Sequence, residues 1–181
     1  MLRIIGGEHG GRKLKQPDLK ITRPTTDRAK EAVFSMIQFK VPGSIFLDLF
    51  SGSGSIAIEA ASRGAMKVIA VEQDASAVKV IKENLGILKI NNVQIIKSKV
   101  NSTISGMGGK KFDFIFMDPP YDEYIYSDTI KLIREKNILK DYGWLIIETS
   151  RPNEIILPDG FIIQKNKKYG KSSILVISNI I

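Results

Sequence analysis

From residue 44 onward, blocks of apolar positions switch repeatedly between a strand period and a helix period. Apolar runs over 45–50, 68–71, 93–96, 112–117 and 144–148 predict strands buried on both faces. Between them, 56–62 predicts a helix closed by Gly64, and 75–88 an amphipathic helix with Val78, Ile81, Leu85 and Leu88 on one face. A further helix is predicted around 127–135, and 161–164 with 174–178 predict a closing antiparallel pair. Such alternation implies an α/β fold, a mostly parallel sheet covered by helices on both faces. The first forty residues differ. Residues 2–5 and 13–15 are strand-like pieces around Gly6, Gly7, Gly10 and Gly11, and predict a glycine-rich hairpin. An extended stretch over 17–24 leads to a helix over 27–38, with Thr25, Thr26 and Asp27 as capping oxygens. The chain therefore divides into an extension, 1–43, packed on a domain, 44–181, in one globular unit.

Composition narrows the picture. A length of 181 residues suits one domain. No cysteine is present, which excludes disulfides, iron–sulfur clusters and Cys-ligated zinc. His9 is the single histidine and is expected in a loop, so no metal site is expected. No apolar run reaches the ~18 residues of a membrane span, and the apolar start is too short for a secretory signal. A soluble, cytoplasmic protein, a monomer without a membrane partner, is the expectation. Twenty-seven Lys and Arg against 19 Asp and Glu give a net charge of +8, which favours a polyanionic partner.

The first strand of the domain runs into Asp48-Leu49-Phe50-Ser51-Gly52-Ser53-Gly54, and a helix opens directly after it. Gly52 and Gly54 suit a sharp turn with close ligand approach. Glu72 ends the next strand, where a carboxylate can accept both hydroxyls of a ribose. The spacing also satisfies the dinucleotide pattern G-x-G-x-x-G/A. Asp48 separates the two readings. A carboxylate beside the loop repels a pyrophosphate and suits a cation. S-adenosylmethionine carries a sulfonium and an ammonium and no phosphate.

The fourth strand delivers Asp118-Pro119-Pro120-Tyr121 to the carboxyl edge of the sheet. The two prolines fix a turn and remove two N–H donors. Asp118 and the Pro119 carbonyl are then placed to accept the protons of an exocyclic amine, and Tyr121 to stack on a flat ring. This suits methylation of an amine whose lone pair is delocalised into its ring, by orientation and electrostatics.

These residues resemble class I S-adenosylmethionine-dependent methyltransferases, of Rossmann-like fold, that act on planar amines. Arg3-Ile4-Ile5-Gly6-Gly7, Gly11-Arg12, Arg23-Pro24-Thr25-Thr26-Asp27-Arg28, the glycine loop and Tyr169-Gly170 extend the match over nearly the whole chain. Together they are similar to the bacterial 16S ribosomal RNA guanine-N2 methyltransferase family, type D. The resemblance implies a seven-stranded sheet. It implies methyl transfer to N2 of one guanine in 16S rRNA, within a small ribosomal subunit or an assembly intermediate, with S-adenosylhomocysteine as product. Asp48, Phe50, Ser51, Gly52, Gly54 and Asp118 would then line the cofactor, with Glu72 on the ribose and Gln73 beside the adenine. Ser98-Lys99-Val100 would close the adenine side. Lys99 stands where many relatives carry Asp or Asn and has no acceptor, so either a backbone group meets the adenine amine or adenine is held less tightly. Ser51 replaces a usual Ala, a small change.

Arg3, Arg12, Lys13, Lys15, Lys20, Arg23 and Arg28 cluster early, and Lys165, Lys167, Lys168 and Lys171 flank Tyr169. Folded onto one rim, these would form a track for RNA phosphates. Tyr121 and Tyr169 are stacking candidates. Tyr124, Tyr126 and Tyr142 are expected to pack, and Trp144 to lie in the core. The rival readings are a DNA adenine-N6 methyltransferase, an NAD-dependent oxidoreductase and a silent RNA-binding module.

Overall fold

The computed structural model describes residues 2–18, 26–120 and 123–180, without the side chains of 123 and 124. Its elements run α1 (Asp27–Ile37), β1 (Ile45–Leu49), α2 (Ser55–Ser62), β2 (Lys67–Glu72), α3 (Ala75–Leu88) and β3 (Val93–Lys97). Then come α4 (Val100–Ser105), β4 (Phe112–Met117), α5 (Glu123–Glu135), β5 (Leu139–Thr149), β6 (Phe161–Tyr169) and β7 (Ser172–Asn179). The seven strands form one sheet, ordered β3-β2-β1-β4-β5-β7-β6. β1 to β5 are parallel, and β7 and β6 close the sheet antiparallel. The expected α/β class is the one found. From β1 the chain runs outward to β3, then crosses back to β4 on the other side of β1. The loops after β1 and β4 thus diverge and open a crevice at the carboxyl edge.

Strands apolar on both faces explain the two layers. Leu47, Leu49, Ile115, Met117, Leu145 and Ile147 pack with Val100, Ile104, Ile130 and Ile133 of α4 and α5. On the opposite face Phe46, Ala70, Phe114, Phe116 and Ile146 pack with α1 and α2 through Phe34, Ile37, Ile56 and Ala60. A third cluster joins Leu2, Ile4 and Leu14 to Ile58 of α2 and Ile81, Leu85 and Leu88 of α3.

The amino-terminal segment is held by polar groups as well. Its hairpin is reduced to one bridge, Arg3 with Lys13, and hydrogen bonds from Ile4 N to the Arg12 carbonyl and from Leu14 N to the Leu2 carbonyl, both 2.9 Å. Glu59, fully buried on α2, accepts from the amides of Ile5 and Gly6, each at 2.8 Å, and from Arg63 Nε at 2.8 Å. Lys30 of α1, also fully buried, lies 3.6 Å from the same carboxylate. It donates to Ser55 Oγ at 2.9 Å and to the Arg3 carbonyl. Burial pushes its ammonium below the usual lysine range, and Glu59 opposes that. Gly7 has φ +78°, and a Cβ there would sit 1.9 Å from the Ser62 carbonyl oxygen, so only glycine lets the hairpin lie against α2.

Several boundaries differ from the sequence expectation. α4 was not expected; it carries two buried residues, Val100 and Ile104, too few to show a period. α5 begins four residues earlier, at Glu123. β5 begins at Leu139, five residues before the expected start, because Leu139 pairs with Phe112 of β4 ahead of a bulge. β6 runs on through its lysines to Tyr169, as an exposed edge strand without alternation. Thr26 supplies the α1 cap, its hydroxyl accepting from Ala29 N at 3.1 Å. The expected extended stretch over 17–24 falls mostly outside the described residues. Among the described residues, no helix is long and apolar enough to cross a membrane.

Candidate active site

Strand register brings four acids to the carboxyl edge on one face. Asp48 of β1 pairs with Ala70 of β2 and Phe116 of β4, and Phe116 pairs with Ile146 of β5. Side chains two apart share a face. Glu72, Asp118 and Glu148 therefore form one level across β2, β4 and β5. Asp48 lies one pleat lower, beneath the loop that leaves β1. Asp48, Phe50, Ser51, Gly52, Ser53, Ser55, Ile56, Phe116 and Asp118 line a single cleft there. A more open concavity around Met66, Asn92 and Gln94 lies at the far end of β2 and β3 and holds none of these acids.

Asp48 is 1% exposed and accepts from the Ala57 amide at 3.1 Å, inside the first turn of α2. Burial pushes its carboxyl up to about 8. The Ser51 hydroxyl and the Ala57 amide pull it down, and the nearby acids Glu72 and Asp118 push it up. In the protein without a ligand, burial therefore favours the protonated form of Asp48 around neutral pH. The fixed negative charge expected at this position arises only when a cation joins it or the pH rises past 8.

The loop itself is strained and tied down. Phe50 has φ +58°, a left-handed conformation rare for an aromatic residue, and it turns the chain out of β1. Ser51 N donates to the Val71 carbonyl at 2.9 Å, and Gly52 N to Glu72 Oε2 at 2.7 Å. The other Glu72 oxygen accepts from Asp74 N at 2.8 Å. Glu72 thus clamps the loop to the β2–α3 turn, a role that its place at a strand end did not announce. Each oxygen keeps a second lone pair for a further donor. Gly54 has φ +74°, and a Cβ on it would lie 2.9 Å from Ile81 Cγ1. It is required by the packing of α2 on α3, beyond any close approach of a ligand.

Asp118 is half-buried one residue past β4, Pro119 is buried and Pro120 is exposed. Tyr121 lies outside the described residues. Glu148 is buried. Sequence reading missed it, although an acid closing an apolar strand is the signal that picked out Glu72. Tyr126 of α5 donates to the Glu148 carbonyl at 3.0 Å. Burial pushes its hydroxyl up to about 12, Thr149 opposes this, and Asp118 and Glu148 add to it.

The remaining expected residues fall in three places. Gln73 and Lys99 are exposed at the ends of β2 and at the start of α4, while Val100 turns into the core. Arg12, Lys13 and Arg28 are exposed, and Arg3 pairs with Asp27 at 3.3 Å and Lys15 with Glu83 at 2.9 Å. Arg23 and Lys20 lie outside the described residues. Lys168 and Tyr169 end β6 at the carboxyl edge, on the far side of α1 from the hairpin. Trp144 is half-buried and packs against the core at its edge, while Tyr142 is 83% exposed and is not the packed residue expected. Tyr142 lies in the bulge between Leu139 and Trp144. Among the described residues, no group of three or more His, Asp or Glu side chains is placed to hold a metal ion.

The family model "Conserved hypothetical protein 95" matches residues 2–178. The ribosomal RNA small subunit methyltransferase D of Escherichia coli is 32% identical, over 94% of this chain and 86% of its own. That of Haemophilus influenzae is 34% identical, over 98% and 94%. This chain belongs to the family of ribosomal RNA small subunit methyltransferase D. Among solved structures, one described as "Putative methyltransferase yhhF from Escherichia coli" superposes with a TM-score of 0.90 at 29% identity, covering 98% of this chain and 97% of that one. The fold is that of the class I methyltransferases.

Proposed function

We propose that this chain transfers a methyl group from S-adenosylmethionine to the exocyclic N2 of one guanine in 16S rRNA, within a small ribosomal subunit or an assembly intermediate. The observation that carries the reading is the shared cleft: Asp118, at the head of the Pro119-Pro120 turn, lines the same crevice as Asp48 and the glycine loop. The donor set fits the cofactor. The acids of the cleft, Asp48 and Asp118 with Glu72 beside them, suit a sulfonium and an ammonium, because a cation draws out the Asp48 charge and a pyrophosphate does not. Glu72 keeps lone pairs for ribose hydroxyls. The names of the E. coli and H. influenzae relatives support the rRNA substrate.

When bound, S-adenosylmethionine supplies a methyl group on a cationic sulfur, open to attack by an amine lone pair. Asp118 and the Pro119 carbonyl accept hydrogen bonds from the two N–H groups of the guanine amine; one of these protons is lost once the N–C bond has formed, and the other stays on the methylated product. Held this way, the nitrogen turns its lone pair out of the ring plane. Neither proline has an N–H to compete at the turn. The contribution is orientation and electrostatics. Tyr121 stacks on the base, which must leave its stack or be unpaired to enter a recessed cleft.

The test is methyl transfer from radiolabelled S-adenosylmethionine to small subunits lacking the modification, to deproteinised 16S rRNA and to duplex DNA, with nucleoside analysis. N2-methylguanosine in either ribosomal sample is the expected result. N6-methyladenine in the DNA alone, or no label anywhere, overturns the reading.

A further inference from the structure

The amino-terminal cations Arg3 and Lys15 are neutralised by Asp27 and Glu83. The cations beside β5 and β6 are arranged differently. Lys40 Nζ lies 4.5 Å and Lys165 Nζ 5.2 Å from the ring centroid of Trp144, the single tryptophan of the chain. Phe114 meets the same indole edge-on at 6.5 Å and fixes it from the core side. Among the described residues, neither lysine forms a salt bridge. Two ammonium groups drawn to one ring repel each other, and an anion between them relieves that repulsion.

The surface continues toward the active edge. Lys165 pairs with Val176, Lys167 with Ile174 and Tyr169 with Ser172. Directly paired residues share a face, and Ile174, Trp144 and Tyr169 belong to one cluster. Lys165, Lys167 and Tyr169 therefore line the Trp144 face over roughly 13 Å, the rise of four strand residues. Tyr169 is at the carboxyl edge, since Ser173 pairs with Thr149. At the other end, Phe39 beside Lys40 is 91% exposed and Tyr142 is 83% exposed. Lysines on an edge strand also deter pairing with another sheet. That role explains outward charges; it does not explain a rigid indole under two unneutralised ammonium groups. Basic residues interleaved with aromatic rings along one face are how single-stranded nucleic acid is held without sequence readout.

We propose that this face is a second RNA-contacting surface, on which Lys40, Lys165 and Lys167 hold phosphates and Trp144 offers a stacking ring to the strand that leaves the catalytic edge. The proposal rests on the rRNA reading above. It adds an RNA path on the far side of α1 from the amino-terminal hairpin.

The test is the double charge reversal Lys40→Glu with Lys165→Glu, against Lys131→Glu on α5 as a control from the opposite face. At about 0.15 M salt each lost phosphate contact weakens binding roughly four- to five-fold, so the pair should raise the KM for rRNA about ten- to thirty-fold. The slope of log K against log salt should fall by about 1.5. Affinity for S-adenosylmethionine should stay at the wild-type value, which excludes misfolding. Independently, a 16S rRNA fragment should change Trp144 emission and shield it from iodide in the wild type, whether or not methyl transfer occurs. An unchanged KM, an equal loss in Lys131→Glu, or Trp144 emission indifferent to bound RNA would overturn the proposal. Failure of N2-methylguanosine to form while Trp144 still reports RNA would overturn the proposed reaction and leave this surface standing.

Discussion

Asp48→Asn should stabilise the ligand-free protein at alkaline pH and weaken cofactor binding. The Asp48 carboxyl ionises near 8 in the fold and at about 3.8 when exposed. Below pH 4 it is neutral in both states and costs nothing. Between pH 4 and 8 the unfolded chain ionises while the folded one keeps its proton. Stability then falls with rising pH by about 1.4 kcal/mol per unit. Above pH 8 both states are charged and the penalty stops growing. Asparagine keeps an oxygen for the Ala57 amide and has no charge to desolvate. From pH 5 to pH 8 the wild type should lose about 4 kcal/mol relative to the variant, measured by urea unfolding. A cationic ligand should reverse the sign. Binding S-adenosylmethionine at pH 7 should release close to one proton from the wild type and none from the variant. Calorimetry in buffers of different ionisation enthalpy reads this directly. A stability difference between the two proteins that is flat from pH 5 to 8, or equal proton release, would refute the account of Asp48.

Three other outcomes follow from the geometry. Asp118→Ala should lower methyl transfer by about 10²-fold or more while retaining most RNA affinity, as single-turnover kinetics and filter binding would show. Gly7→Ala should destabilise far more than Gly11→Ala. Both have positive φ, at a strain of about 1 kcal/mol each, but only Gly7 faces a carbonyl at 1.9 Å, and equal melting shifts would contradict this. Glu59→Ala should free the hairpin, with the amides of Ile5 and Gly6 losing hydrogen-exchange protection while those of β1 and β4 keep theirs. Protection unchanged at Ile5 would mean the apolar contacts of Leu2, Ile4 and Leu14 suffice.

What could be read from the sequence followed from how strongly each segment's pattern matched its environment. β1, β2 and β4 are buried on both faces, so most of their positions are apolar and the strand declares itself. The acids at their ends stand out against that background, which is why Asp48, Glu72 and Asp118 were legible before any coordinates. β6 lacks such a background. Its lysines were legible as candidate phosphate contacts, but with one face in solvent and a free edge they showed no strand period, and their alignment with Trp144 was not legible. The expected β5 was too short for a related reason, because residues 140–143 form a bulge between the paired Leu139 and Trp144 and carry no apolar run.

The state of Asp48 shows a different limit. Its identity and position were readable, yet its charge depends on context that no local pattern encodes: complete burial, a helix turn above and two acids beside. A carboxylate beside a glycine loop reads as a fixed negative partner for a cation. Folded beneath that loop, the same residue becomes a neutral acid that acquires its charge when the cation arrives. The loop stays in place meanwhile because Glu72, not Asp48, holds its backbone. Division of labour between these two acids lets the site be preformed while still answering to its ligand. Removing the Glu72 carboxylate should therefore loosen the loop in the empty protein, whereas removing that of Asp48 should leave the loop in place and be felt in the pH dependence of stability and on binding.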